Sequence, residues 1–210
     1  MRLLPFDFAR DPYVVLDFTA SNPDLAALDL TNTPTFARYV SGKLRAAGAV
    51  VGVGGYDESR VIYRDSGHFT PTDEEPRTIH LGVDFWAEAG TSVFVPVDGV
   101  VHSFADNARY ADYGPTIILE HQTAGFPRYS LYGHLSRASL TNLYEGKEVK
   151  AGEKLAELGP YPENGDWPPH LHFQLINDML GLRGDFPGVC RGSERDYWLG
   201  LCPDPNPFVF

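Results

Sequence analysis

Between residues 80 and 176 the chain is cut into short apolar runs, and glycines mark the cuts. The runs fall at 80–86, 92–104, 115–121, 128–135, 154–158 and 170–176, punctuated by Gly99, Gly114, Gly125, Gly146, Gly152 and Gly159. Runs of this length bounded by turn residues read as strands. A parallel pair needs a crossover of about a dozen residues or more, and most of these gaps are shorter, so the pattern predicts a largely antiparallel sheet. Composition agrees. With 21 glycines, 17 prolines, 11 tyrosines and 13 phenylalanines in 210 residues, many short strands and tight turns fit better than a helix bundle. The predicted fold class is mostly β, an antiparallel sheet core with a short N-terminal helix and extended terminal arms.

The flanks carry less pattern. Residues 1–32 look irregular, with two apolar patches, VVLDF and LAALDL. TPTFARYVSGKLRAAGA then predicts a helix: Thr33 as the cap, Pro34 in the first turn, and Phe36, Tyr39, Val40 and Leu44 on one face. Gly48 ends it, and VVGVGGY returns to extended chain. Residues 56–79 are polar and turn-rich, with an acidic run at Asp73, Glu74 and Glu75. Residues 177–210, with Pro187, Pro203, Pro205 and Pro207, read as a loop-like arm wrapping the core.

Charge narrows the partners. The net charge is −11, and such a surface repels phosphate backbones and anionic headgroups. Nucleic-acid and membrane-surface partners are therefore not expected, and an anionic cell wall is a poor match. No run reaches the roughly 18 apolar residues of a membrane span. Pro5, Asp7, Arg10 and Asp11 interrupt any apolar core of a signal peptide, so the expected location is cytoplasmic. Cys190 and Cys202, the two cysteines, are expected as free thiols in that compartment.

The chemistry-bearing segment is PPHLHFQL, residues 168–175. On a strand, residues i and i+2 share a face. His170 and His172 therefore point one way, and Leu171 and Phe173 point into a core. A further pair, His80 and Asp84 in RTIHLGVDF, brackets Gly82, which lets the backbone bend. One histidine of the strand pair, a second histidine and a carboxylate make a three-ligand metal set with an open fourth position. His134 in YSLYGHLSR follows a strand and a glycine, and can stand opposite His170 across such a metal. Each element has an ordinary reading as well: an exposed polar pair, a hydrogen-bonded turn, a satisfied core histidine. Their combination and order are far more specific.

HLGVD (80–84), GTSVFVPVDGVV (90–101), YGHL (132–135), VKAGEKLAELG (149–159) and PHLHF (169–173) together resemble the lysostaphin-like (LytM-type) zinc metalloendopeptidases, over about half of the chain. The resemblance implies one zinc ion per chain, held by His80, Asp84 and His172, with His134 and His170 as catalytic histidines beside the water. It implies a groove along an antiparallel sheet, and hydrolysis of peptide bonds in peptidoglycan-type or glycine-rich peptides. Such peptides offer few side chains to grip, which suits backbone contacts in an open groove. Trp167, Tyr132 and Phe85 are candidate groove walls, with core aromatics as the alternative.

The chain departs from the pattern at Pro168, where a glycine is often found, and family members usually act in the periplasm or outside the cell. The segments DYGPTIILEH, DMLGLRGDFPGVC and LCPDPN resemble a variety found as a module of larger bacterial proteins, which implies other domains as partners. The organisation expected is an N-terminal arm with one helix packed on the core (1–55), a peptidase core (56–180) and a C-terminal arm (181–210). Two other functions fit the same residues. One is a cytosolic zinc amide hydrolase within a larger metabolic enzyme. The other is a non-catalytic docking module, against which the retention of all five site residues argues.

Overall fold

The computed structural model describes residues 2–63, 69 and 74–210; Asp73 of the acidic run lies outside them. The N-terminal segment holds β1 (Tyr13–Leu16), α1 (Thr33–Ala47) and β2 (Val51–Gly54). Then come β3 (Arg77–His80), β4 (Val83–Trp86), β5 (Ser92–Phe94), β6 (Gly99–Asn107), β7 (Gly114–Glu120) and β8 (Tyr129–Gly133). The rest comprises β9 (Glu148–Val149), β10 (Lys154–Glu157), β11 (His170–Ile176), β12 (Val189–Arg191), α2 (Arg195–Leu201) and α3 (Asn206–Val209).

Among the described residues the main sheet has eight strands in the order β1-β2-β4-β11-β8-β7-β6-β9, and β5–β10 and β3–β12 form two small sheets. Within the main sheet β1 and β2 run parallel, and the other neighbours run antiparallel. The fold is mostly β around a large antiparallel sheet. The parallel pair has a simple cause: α1 carries the chain back from the end of β1 to the start of β2. Asn32, one residue before the predicted cap, caps α1 by accepting from the Thr35 N–H at 2.9 Å. Gly48 closes the helix in the left-handed region, at φ 61°. Phe36 and Val40 are buried, whereas Tyr39 and Leu44 are half-buried.

Several expected elements differ. The predicted strand 80–86 is two strands in two sheets, with a bend at Leu81–Gly82. The predicted strand 92–104 is also two, interrupted around Pro96, which has no N–H to give a ladder. Residues 1–32 supply β1, and 177–210 supply β12, α2 and α3 where loop was expected. The YVVL of β1 is short and does not alternate, and α2 spans seven residues, too few for a helical period to show.

The two faces of the main sheet do different work. Leu171, Phe173 and Leu175 enter the larger apolar core with Val83, Phe85, Ile117, Leu119 and Tyr132. By the two-residue period, His170, His172 and Gln174 face the opposite side, and so do Asp84 and Trp86. Phe85 and Tyr132 are thus core residues and not groove walls. A second apolar cluster joins Phe18, Phe36, Ile62, Tyr63 and Trp86, and packs the N-terminal segment beside the polar face.

Candidate metal centre and active site

β11 pairs with β4 in a register that sets His172 opposite Asp84 and His170 opposite Trp86. β3 ends at His80, and the bend that follows lets His80 and Asp84 converge from different sheets. Gly82 is needed there for space. A Cβ on it would sit 2.8 Å from His172 Cε1 and 2.7 Å from the Phe173 carbonyl oxygen.

His80 Nε2 lies 2.9 Å from His172 Nδ1, and Asp84 Oδ1 lies 3.3 Å from the first and 3.1 Å from the second. The outer partners fix the tautomers. His80 Nδ1 is 2.8 Å from the Gly55 carbonyl oxygen, which only accepts, so Nδ1 carries the proton. Gln174 Nε2 donates to the Pro187 carbonyl at 3.1 Å, which turns its Oε1 toward His172 Nε2 at 2.9 Å. The proton of His172 is therefore on Nε2. Three lone pairs, on His80 Nε2, His172 Nδ1 and Asp84 Oδ1, then face one another with no proton between them, and a cation satisfies all three.

These residues could hold a metal ion. Two imidazoles and a carboxylate are a donor set that zinc accepts, at bonds of about 2.0–2.1 Å. A tetrahedral site with such bonds has donors about 3.3 Å apart, close to the separations here.

Burial and charge set the protonation states. Burial, the charge of Arg60 and the neighbouring His172 outweigh Asp84 and push His80 down to about 4. Burial would raise the Asp84 carboxyl. The charged groups around it outweigh burial and hold Asp84 well below the usual carboxylate range. Arg60 is the permanent charge in that set. It is fully buried, and its Nη1 donates to Asp84 Oδ2 at 2.5 Å.

His134 and His170 lie beside the triad. Their rings are 4.1 Å apart at 32°, and Trp86 stacks on the other face of His170 at 4.0 Å. His134 thus lies against His170 and not opposite it across the site. Nδ1 of His134 donates to the Asn164 carbonyl and Nδ1 of His170 to the Pro168 carbonyl, both at 2.8 Å. Each ring keeps a bare Nε2, with no partner for it among the described residues. Burial and the adjacent His170 push His134 well below its usual range, and burial pushes His170 down to about 4. His134 has φ 61°, a left-handed conformation uncommon outside glycine. Its N–H donates to Tyr113 O at 2.8 Å, and its carbonyl accepts from Gly159 N at 2.9 Å, which holds the turn.

All five histidine and aspartate residues line one cavity of about 320 Å³. Trp86, Tyr113 and Trp167 form part of its wall, so of the three candidate wall residues Trp167 is placed there. The sequence reading missed Trp86, Gln174, Tyr113 and Arg60. Trp86 and Gln174 are two residues beyond Asp84 and His172, so the strand period places them on the site face. Tyr113, whose hydroxyl is 3.4 Å from His172 Nε2, and Arg60 have no such local signal. Cys190 and Cys202 are free and buried, and Gln174 Nε2 donates to Cys202 Sγ at 3.3 Å.

The model of Peptidase family M23 matches residues 78–182. No curated protein matches the chain. Among solved structures, the chain is similar to the catalytic domain of the antimicrobial peptidase lysostaphin from Staphylococcus simulans. The two are 27% identical, over 62% of this chain and 79% of that one, with a TM-score of 0.42. LytU is 25% identical over 66% of this chain and 75% of its own, with a TM-score of 0.43. A putative peptidase M23 from Pseudomonas aeruginosa is 25% identical over 62% of this chain, with a TM-score of 0.41; the match spans 43% of that protein. Among the described residues no helix is long and apolar enough to cross a membrane.

Proposed function

The chain belongs to Peptidase family M23, and from that premise we propose that it is a zinc-dependent endopeptidase acting on peptidoglycan-type or glycine-rich peptides. His80 Nε2, Asp84 Oδ1 and His172 Nδ1 hold the metal, and His134 and His170 are the catalytic histidines. The observation that carries this reading is the convergence of three lone pairs beside two bare Nε2 atoms in one cavity.

A zinc ion bound at such a set supplies Lewis acidity, which polarises a carbonyl and brings the pKa of a water toward ~7. The protein's part is positioning and proton handling. Neutral His134 and His170 accept a proton at Nε2 while Nδ1 stays anchored on a carbonyl, so neither ring turns as it titrates. Once protonated, the same Nε2–H can donate to an oxyanion or to the departing amine nitrogen. Trp86 holds the plane of His170 by stacking and shields it from water. Trp167 walls the same cavity with apolar surface.

The test is hydrolysis of pentaglycine peptides and of peptidoglycan by zinc-loaded protein, with a lysostaphin-type enzyme in parallel. Cleavage that stops with a chelator and returns with zinc supports the proposal. Cleavage of neither substrate, while the parallel enzyme works, overturns it.

A further inference from the structure

Every outward-facing atom of His80, Asp84 and His172 is held by a residue from outside 78–182, the family-matched span, or by a residue anchored from outside it. Gly55 O holds His80, Arg60 holds Asp84, and Gln174, itself anchored on Pro187 and Cys202, holds His172. The Arg60 contact is the most constrained of these. Residues 57–60 lie along β3: Asp57 N donates to His80 O at 2.9 Å, His80 N to Glu58 O at 3.0 Å, and Arg60 N to Thr78 O at 2.9 Å. This fixes the backbone from which Arg60 reaches inward.

The guanidinium is then held on several sides. Nε donates to Glu58 Oε2 at 2.7 Å, Nη1 to the Tyr63 hydroxyl at 3.2 Å, and Nη2 to Gly55 O at 3.2 Å. Gly54 leaves the room: a Cβ there would sit 2.7 Å from Arg60 Nη2. With so many fixed contacts, Nη1 reaches Asp84 Oδ2 in one orientation. The carboxylate cannot rotate without giving up a buried charge-assisted hydrogen bond.

We infer that Arg60 is a positioning residue for the metal centre. By occupying Asp84 Oδ2 it leaves Oδ1 alone turned to His80 and His172, and so builds a site for four-coordinate zinc over cations that take more oxygen ligands. The inference rests on the metal-centre reading above. Its physical logic is that zinc takes few ligands in tetrahedral geometry, whereas larger, harder cations take several oxygens and use both atoms of a carboxylate. Charge alone predicts the reverse effect for Arg60. A buried cation beside a cation site repels the metal, so its removal would tighten binding.

The experiment compares the unaltered protein with Arg60→Met and Arg60→Lys, checked for folding by circular dichroism. The readouts are zinc affinity by chelator competition and the visible spectrum of the cobalt(II) form. Arg60→Met is expected to lose about 10–100-fold in zinc affinity, the usual cost of removing a partner behind a ligand. Its cobalt bands weaken toward those of higher coordination, and its preference for zinc over manganese falls. Arg60→Lys keeps the charge and one donor, and recovers part of each. Unchanged or tighter zinc binding by folded Arg60→Met overturns the inference.

X-ray absorption on the zinc form of the unaltered protein decides the matter even where the variants fail to fold. One carboxylate oxygen at bonding distance is expected, and two overturn the inference while leaving the metal-centre reading intact. A protein that binds neither metal overturns that reading and this inference with it.

Discussion

The triad and the His134–His170 pair share a cavity, yet they are held in different ways. Behind the triad stand charged and polar side chains: Arg60 on Asp84, Gln174 on His172, with Gly55 O on His80. Behind the pair stand backbone carbonyls of Asn164 and Pro168, both within the family-matched span. The difference follows from what each set must do. Three converging lone pairs, one of them on a carboxylate, repel one another unless a cation enters, so they need firm outer partners to stay converged. Two neutral rings need one anchored nitrogen each, and a carbonyl provides it without adding charge.

The harshest break of this comparison is Asp84→Ala. It removes a proposed ligand and leaves Arg60 buried opposite Glu58 alone. Zinc retention is expected to vanish with turnover. Breaking a buried pair from one side costs about 3–5 kcal/mol, and the surviving Glu58 contact argues for the lower end; denaturant titration of the metal-free protein measures it. Replacing His134 tests the other half. His134→Asn suits the left-handed backbone better than alanine does. The variant is expected to keep its zinc while kcat falls about 100–10,000-fold. Loss of the metal instead would move His134 into the ligand set.

Acid blurs the two sets, because both depend on neutral imidazoles. In the unfolded chain histidines titrate near about 6.5, whereas folded His80 and His170 stay neutral down to about 4. Between those values the unfolded state binds more protons, so stability falls as pH falls. Thermal melts of metal-free protein are expected to hold above pH ~6.5 and to decline steadily below it. A flat profile down to pH ~4 would contradict the buried neutral state.

Smaller changes sharpen the contrast. Gln174→Leu removes the acceptor behind His172 and is expected to lower zinc affinity about 10–100-fold, read by chelator competition. Cys202→Ser changes only the partner of Gln174. A weak hydrogen bond is worth about 0.5–1.5 kcal/mol, so affinity should move by tenfold at most.

Much of the site was legible because strand periodicity is local. HLH on one strand announces two histidines on one face, and the core side of β11 reads directly from Leu171 and Phe173. HLGVD announces a bend, although its consequence, two strands in two sheets, depends on β12 arriving from the far end of the chain. Arg60 was not legible. Nothing in DESR separates an arginine that enters the core from one that stays in water. What draws it in is Asp84, 24 residues later, together with the space that Gly54 leaves. β1 was hidden for a related reason: its neighbour in the sheet, β2, is supplied only after α1 has turned the chain around.

The most direct test is zinc per chain, by elemental analysis after zinc loading and exhaustive dialysis of the unaltered protein, Asp84→Ala and His134→Asn. Near one zinc is expected in the first and third and none in the second. No zinc in the unaltered protein, or its loss on replacing His134, would contradict the division between a triad that holds the metal and a pair that handles protons.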